Sequence, residues 1–228
     1  MSRAEDAPVL RVEEVHKSFD TPAGPITVLE GIDLAVDPGD TVAIVGESGS
    51  GKSTLLSLLA GLDAPTRGRV VVDGDELQAM SEKALARFRA AKLGIVFQQF
   101  HLMGGLSALE NVSLPLELQR VDAARERALV ALEQVGLGGR ASHLPSRLSG
   151  GECQRVAIAR ALVVEPAILL ADEPSGSLDV RTGESVMRLL FELVERGSTT
   201  LLLVTHSEIL AAECRRRLHL AGGKLIDG

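Results

Sequence analysis

Thr41-Val42-Ala43-Ile44-Val45-Gly46-Glu47-Ser48-Gly49-Ser50-Gly51-Lys52-Ser53 decides the fold. Its first five residues are a short apolar, partly β-branched run, the mark of a buried strand. A glycine-rich loop follows without a break, and Ser53 to Leu62 then reads as a helix. Strand, loop and helix in that order form the setting of a phosphate-binding loop. Glycines at 46, 49 and 51 let backbone N–H groups turn toward clustered negative charge. The helix start adds its dipole. Lys52 supplies a cation for the β and γ phosphates, and the Ser53 hydroxyl suits Mg²⁺.

Two stretches downstream sharpen the reading. Ile168-Leu169-Leu170-Ala171-Asp172-Glu173 is an apolar run ending in two carboxylates. One such carboxylate can hold a metal ion and the next can orient or deprotonate water. Leu148-Ser149-Gly150-Gly151-Glu152-Cys153-Gln154-Arg155 opens a helix through Leu162. Ser149, Gly150 and Gly151 offer a hydroxyl and backbone N–H groups there, a second place for an anion.

Around these motifs the chain alternates strands and helices. Val9 to Phe19 reads as a strand, and Thr21 to Pro25 as a turn. Val70 to Val72 is a strand before a tight Asp73-Gly74 turn. Ser81 to Ala91 reads as a helix with Ser81 as its cap, and Gly94 to Phe97 as a strand. From Gln98 to Leu148 the pattern is mainly helical, most clearly at Ala123 to Val135. Strands return at Ile168 to Leu170 and Leu201 to Val204, with a helix between them. A hairpin closes the chain around Gly222-Gly223. The pattern predicts an α/β core with an inserted helical subdomain.

Composition narrows the classes. The 228 residues suffice for one substantial core, and 45% hydrophobic with 24% charged residues fits a globular protein. Trp and Tyr are absent, so Leu, Val, Ile and Ala must build the core. A net charge of −7 argues against a dedicated nucleic-acid binder. No run reaches the roughly 20 apolar residues of a membrane span, and Met1 to Pro8 does not read as a signal peptide. Cys153 and Cys214 stand far apart in no metal-ligand spacing, as expected of reduced thiols.

Phosphate loop, LSGG stretch and acidic strand end, in that order, resemble the ATPases of ABC transporters. The resemblance spans nearly the whole chain. Ala23-Gly24-Pro25, Ala60-Gly61-Leu62-Asp63, Ala108-Leu109-Glu110-Asn111-Val112 and Leu114-Pro115-Leu116-Glu117 look like the MacB/LolD-type branch, and within it the YbbA-like ATPases. It implies a P-loop NTPase (RecA-like) core with an N-terminal antiparallel β subdomain. It also implies one ABC ATPase domain over 1–228, with a core of 1–97 and 156–228 and a helical subdomain of 98–155.

The same resemblance assigns roles, with ATP and Mg²⁺ as expected ligands. Residues Gly46, Glu47, Ser48, Gly49, Ser50, Gly51, Lys52, Ser53 and Thr54 cradle the phosphates. Asp172 is the metal residue and Glu173 the general base. His206 matches the switch histidine. Gln98 matches the glutamine that senses metal and water, with Gln99 as a one-residue ambiguity; Gln98 is preferred because it follows the strand. Phe19 takes the adenine-stacking position, where only a flat face is needed. Ser149, Gly150 and Gly151 are expected to face the nucleotide of a second copy in an ATP-dependent homodimer, and the Ser177-Leu178-Asp179 stretch to lie along that interface, with Asp179 among the nucleotide-binding residues. Ser175, Ser177 and Ser207 depart from the commoner Thr, Asn and Asp. Cys153 is expected near the interface, where thiol modification inhibits.

An ATPase of this kind needs an integral-membrane permease, placing it peripherally on the cytoplasmic face of the inner membrane. Met103 and its apolar neighbours between Gln98 and Leu118 are the expected docking region. A regulatory, FtsE-like ATPase is the alternative. A repair ATPase would carry a long coiled coil between phosphate loop and signature, and this chain has no sustained heptads there. Translation factors usually carry two ATPase units, and one set of motifs is present.

Overall fold

The computed structural model describes residues 7–227. Of the polar Met1–Pro8 stretch, residues 1–6 lie outside the described residues. In chain order the elements are β1 (Leu10–Thr21), β2 (Gly24–Val36), β3 (Thr41–Val45), α1 (Lys52–Leu59), β4 (Arg67–Val72), β5 (Asp75–Glu76), α2 (Glu82–Lys92) and β6 (Leu93–Val96). They continue with α3 (Ala108–Leu118), α4 (Ala124–Gln134), α5 (Gly150–Leu162), β7 (Ile168–Asp172), α6 (Val180–Gly197), β8 (Thr200–Thr205), α7 (Glu208–Ala212), β9 (Arg216–Ala221) and β10 (Lys224–Asp227). The described residues divide into two compact units, 7–89 with 200–227, and 90–199.

The first unit holds an antiparallel sheet in the order β2-β1-β4-β5. Leu10 and Val12 alternate with exposed or half-exposed neighbours along β1, and the register shift between Val12 and Val15 returns Val15 to the buried face. Bulges interrupt the β1–β2 register between Val12 and Ser18, and Gly31 in β2 has φ +61°. The unit also holds β3 between β8 and β9, parallel to both, with β10 antiparallel to β9. Val42 to Val45 and Leu201 to Val204 are buried without alternation, as parallel strands covered on both faces are. Gly222 and Gly223, both at positive φ, make the last turn.

In the second unit β6 and β7 pair in parallel. Gly94 in β6 lies so near the Ala161 carbonyl that a Cβ would sit 2.6 Å from it. Helices α3, α4 and α5 share a core of Val112, Leu116, Ala128, Leu132, Val156 and Ala159. The turn before α3 is tied by Asn111, whose side chain is fully buried. Its Oδ1 accepts from Met103 N (2.8 Å), and its Nδ2 donates to the carbonyls of Met103, Leu106 and Ser107 at 3.0–3.1 Å. A buried amide satisfied at both ends fixes a loop that has no regular structure of its own. Among the described residues no helix is long and apolar enough to cross a membrane.

Candidate functional site

In the first unit, the phosphate loop leaves β3 at Val45 and enters α1 at Lys52. Gly46 packs against the Leu220 backbone carbonyl so closely that any Cβ would collide with it. Gly49 and Gly51 have φ of +81° and +103°, the left-handed region that glycine alone enters freely. At Gly51 a Cβ would also meet Val28 and Leu29 at 3.0–3.1 Å. These contacts press the loop against its neighbours and leave its Glu47, Ser48 and Gly49 rim exposed. No side chain caps α1, so its first-turn N–H groups are left for another acceptor.

Lys52 is buried, and its Nζ donates to the carbonyls of Gly46 and Glu47, each at 2.8 Å. The cation thus lies inside the loop that it is expected to serve. The buried Ser50 Oγ has no hydrogen-bond partner. Ser53 is exposed and Thr54 half-buried. On the neighbouring strand, Thr205 stands opposite Val45 in parallel register. His206 therefore leaves β8 at the level where the loop leaves β3, at the carboxyl ends of the strands. That edge is where open α/β sheets bind ligands.

Phe19 lies inside β1 rather than at its end, and is 42% exposed. Its ring is no part of the core. Lys17 Nζ lies 4.8 Å from the ring centroid, a cation–π distance. The same Nζ bonds Asp63 Oδ1 (2.8 Å) and the Ala64 carbonyl (2.8 Å). The hydrogen bond from Lys17 holds the Asp63 carboxyl below its usual range. Sequence reasoning passed over Lys17; its place two residues before Phe19, on the same strand face, was the available signal.

In the second unit, β6 and β7 play the same trick of register. Val96 pairs with Ala171, so Gln98 and the Asp172-Glu173 pair leave adjacent strands at one level. Glu173 has φ +45°. A non-glycine residue there carries backbone strain, which recurs at working sites. Gln98 and Gln99 are both exposed, and the strand ends two residues before Gln98. Of the two, Gln98 packs on the turn after β7, where a Cβ on Gly176 would sit 2.8 Å from its Nε2. Asp179 caps α6, accepting from Thr182 N (3.1 Å). Hydrogen bonds from Thr182, side chain first and then backbone, lower its pKa.

Ser149 caps α5 in a reciprocal box. Its Oγ accepts from Glu152 N (3.3 Å), while Glu152 Oε2 accepts from Ser149 N (2.8 Å) and Oγ (2.9 Å). Arg140 stands 3.6 Å from the other carboxylate oxygen. A Cβ on Gly150 would meet Leu178 at 3.2 Å and Phe100 at 3.7 Å, and one on Gly151 would strike the Thr182 side chain. The second unit therefore gathers Gln98, the LSGG turn, Glu173 and the 175–179 turn, and the first unit gathers the phosphate loop and His206.

Cys153 and Cys214 are free. The expected inhibition by thiol modification at Cys153 meets an obstacle in its burial. The residue is buried, its Sγ lies 3.6 Å from the Pro145 carbonyl, and burial followed by the Glu152 charge raises its pKa. Met103, by contrast, is 53% exposed.

Comparison with known proteins fits this geometry. Residues 29–176 match the ABC transporter family. The chain is 48% identical to the lipoprotein-releasing system ATP-binding protein LolD of Pseudomonas syringae pv. tomato, over 97% of this chain and 99% of that protein. It is 49% identical to an ABC transporter ATP-binding protein, YbbA, of Escherichia coli K12, over 95% and 96% of the two. A dimeric ATP-binding cassette solved in a post-hydrolysis state with ADP and Pi superposes with a TM-score of 0.87, at 40% identity, over 96% of this chain and 98% of that one. The fold is that of an ABC ATPase cassette. The chain belongs to the ABC transporter family, in its LolD- and YbbA-like group.

Proposed function

We propose that this chain binds and hydrolyses Mg-ATP in a head-to-tail pair and so drives a membrane permease. The observation that carries the reading is the phosphate loop: a Gly46 that admits no Cβ, Gly49 and Gly51 at positive φ, an uncapped helix start and a lysine turned into the loop. Phosphate oxygens replace the Gly46 and Glu47 carbonyls as partners of Lys52 with little movement of its stem. Phe19 stacks the adenine on its open face.

Ser53, Gln98 and Asp172 supply a hydroxyl, an amide oxygen and a carboxylate, the hard oxygen donors that suit Mg²⁺. Bound there, the ion offsets charge on the β and γ phosphates. Glu173 takes a proton from the attacking water while Gln98 orients that water. His206 donates a hydrogen bond to the γ-phosphate. Positioning and charge stabilisation do most of the work in phosphoryl transfer.

Ser149, Gly150 and Gly151 of one copy face the γ-phosphate held by the other, and Asp179 lies along that seam. The nucleotide then joins the two copies, and hydrolysis lets them part. The helical segment 98–155, with Met103 outward, meets the permease. The whole stands on the cytoplasmic face of the inner membrane, and the work done is lipoprotein release, export or force transmission of the LolD type.

Phosphate release under Mg-ATP tests the chemistry. Glu173→Gln should retain ATP binding and lose about 10²- to 10³-fold in turnover, the scale of a missing proton-transfer group. Lys52→Ala should lose binding as well. Turnover in Glu173→Gln equal to the unmodified protein would remove Glu173 from the role of base.

A further inference from the structure

The loop Phe97–His101 of the second unit has little regular structure, yet its carbonyl oxygens are held from two other elements. From α5, Gln154 Nε2 donates to the Phe97 carbonyl (3.3 Å). Arg160, from the same helix, donates to the carbonyls of Phe100 (3.0 Å) and His101 (2.6 Å). The carbonyl between these, that of Gln98, accepts from Ser177 Oγ at 2.9 Å. Ser177 belongs to the turn between β7 and α6. Its neighbour Gly176 lies under the Gln98 side chain, where a Cβ would come within 2.8 Å of Nε2 and 3.1 Å of Cδ. The turn is itself fixed, since Gly176 N bonds the Glu173 carbonyl (2.9 Å) and Leu178 N bonds that of Ser175 (3.0 Å).

Gln98 is exposed, and an exposed glutamine samples many rotamers. Where its amide group lies depends on where its backbone is held and on what its stem rests against. Ser177 sets the first and Gly176 the second. Both belong to the turn whose far end, Asp179, starts α6.

We propose that Ser177, with Gly176, is a positioning residue for Gln98, so that the 175–179 turn sets the reach of the Gln98 amide. The inference rests on the role given above to Gln98 in metal and water handling. A serine suits position 177 because a short hydroxyl reaches the carbonyl at close range. When a partner copy presses on this turn, the shift passes through one hydrogen bond and one packing contact to Gln98. Association and hydrolysis are thereby coupled within a single chain.

The test is a set of four variants, Ser177→Ala, Ser177→Thr, Gln98→Ala and the double variant, assayed for ATP turnover and for its dependence on Mg²⁺. Losing the hydrogen bond should lower kcat about five- to tenfold and raise the Mg²⁺ needed for half-maximal rate, with KM for ATP little changed. Ser177→Thr, which keeps the hydroxyl, should stay within about twofold of the unmodified protein. In the Gln98→Ala background the Ser177→Ala change should have no further effect, because the two act through one amide. Amide hydrogen exchange across 97–101, which requires no turnover, should quicken in Ser177→Ala and not in Ser177→Thr. Ser177→Ala turnover and exchange matching the unmodified protein would overturn the positioning, as would losses that add fully to those of Gln98→Ala. Undiminished turnover and Mg²⁺ response in Gln98→Ala would overturn the role of Gln98, and the coupling with it.

Discussion

At the scale of single residues, position in the fold reverses what residue type suggests. Cys153 stands in the LSGG motif, proposed above to face a second copy, yet its thiol points inward to the Pro145 carbonyl. Cys214 is buried too, and burial pushes its pKa up to about 12. The thiolate is the reactive form, so both groups stay protonated and unreactive well above neutral pH. Thiol reagent at mildly alkaline pH should therefore label neither cysteine rapidly in the folded protein and both after unfolding. Rapid labelling of Cys153 in the native state, read by mass spectrometry, would contradict its burial. Lys52 shows the opposite economy. Its buried cation has two carbonyl partners inside the loop, so no desolvated charge is left unpaired before a nucleotide arrives.

At the scale of elements, the two helix starts that the chemistry needs differ in their preparation. No side chain caps α1, whereas α5 carries a full Ser149–Glu152 box and α3 a Ser107–Glu110 box. In each box the serine N–H, then its hydroxyl, holds the glutamate carboxyl below the usual range. A carboxylate with a lowered folded pKa stabilises above its unfolded value, and that stability drains as pH falls through the folded one. Ser149→Ala should cost about 1 kcal/mol near neutral pH. The gap to the unmodified protein should narrow below the ordinary glutamate pKa of 4.5, as Glu152 takes up its proton. Urea melts of both proteins across that range check this; a gap independent of pH would separate the cap from the Glu152 charge. For α5 to meet a phosphate, Ser149 must turn its hydroxyl away from Glu152, so the cap also sets what that contact costs.

Elements also show what the sequence exposed and what it hid. Strands β3 and β8 were legible as short unbroken apolar runs, and helix α4 because its apolar residues recur with the helical period. Strand β2 was not: Pro25 and Gly31 interrupt it, and bulges against β1 break the alternation. The phosphate loop and the LSGG turn were legible because their chemistry is packed into eight consecutive residues. The Ser177–Gln98 bond joins positions 79 apart, and the Arg160 bonds reach 59 and 60 residues back. No local pattern announces such pairs, since only the fold brings them within reach.

At the scale of the whole molecule, the division of phosphate donors between the two units favours a pair of chains. The phosphate loop offers its N–H groups and Lys52 from the first unit, and the LSGG turn is carried by the second. A triphosphate held by the loop presents its γ end outward, still charged and open to more donors. A second copy turned head to tail can supply them, and each of two nucleotides then sits between opposite halves of two chains. In the proposed pair the attraction would last only while the γ-phosphate is present, so blocking hydrolysis should trap it. Glu173→Gln with Mg-ATP should run at twice the monomer mass by light scattering, and return to the monomer with ADP or without nucleotide. Ser149→Glu in the same background should prevent the pair, because a second carboxylate at that helix start repels the phosphate, while each chain still binds ATP through its own loop. If Glu173→Gln stays monomeric at saturating Mg-ATP even with its permease present, the nucleotide does not join the chains, and the LSGG turn must serve the permease or its own chain instead.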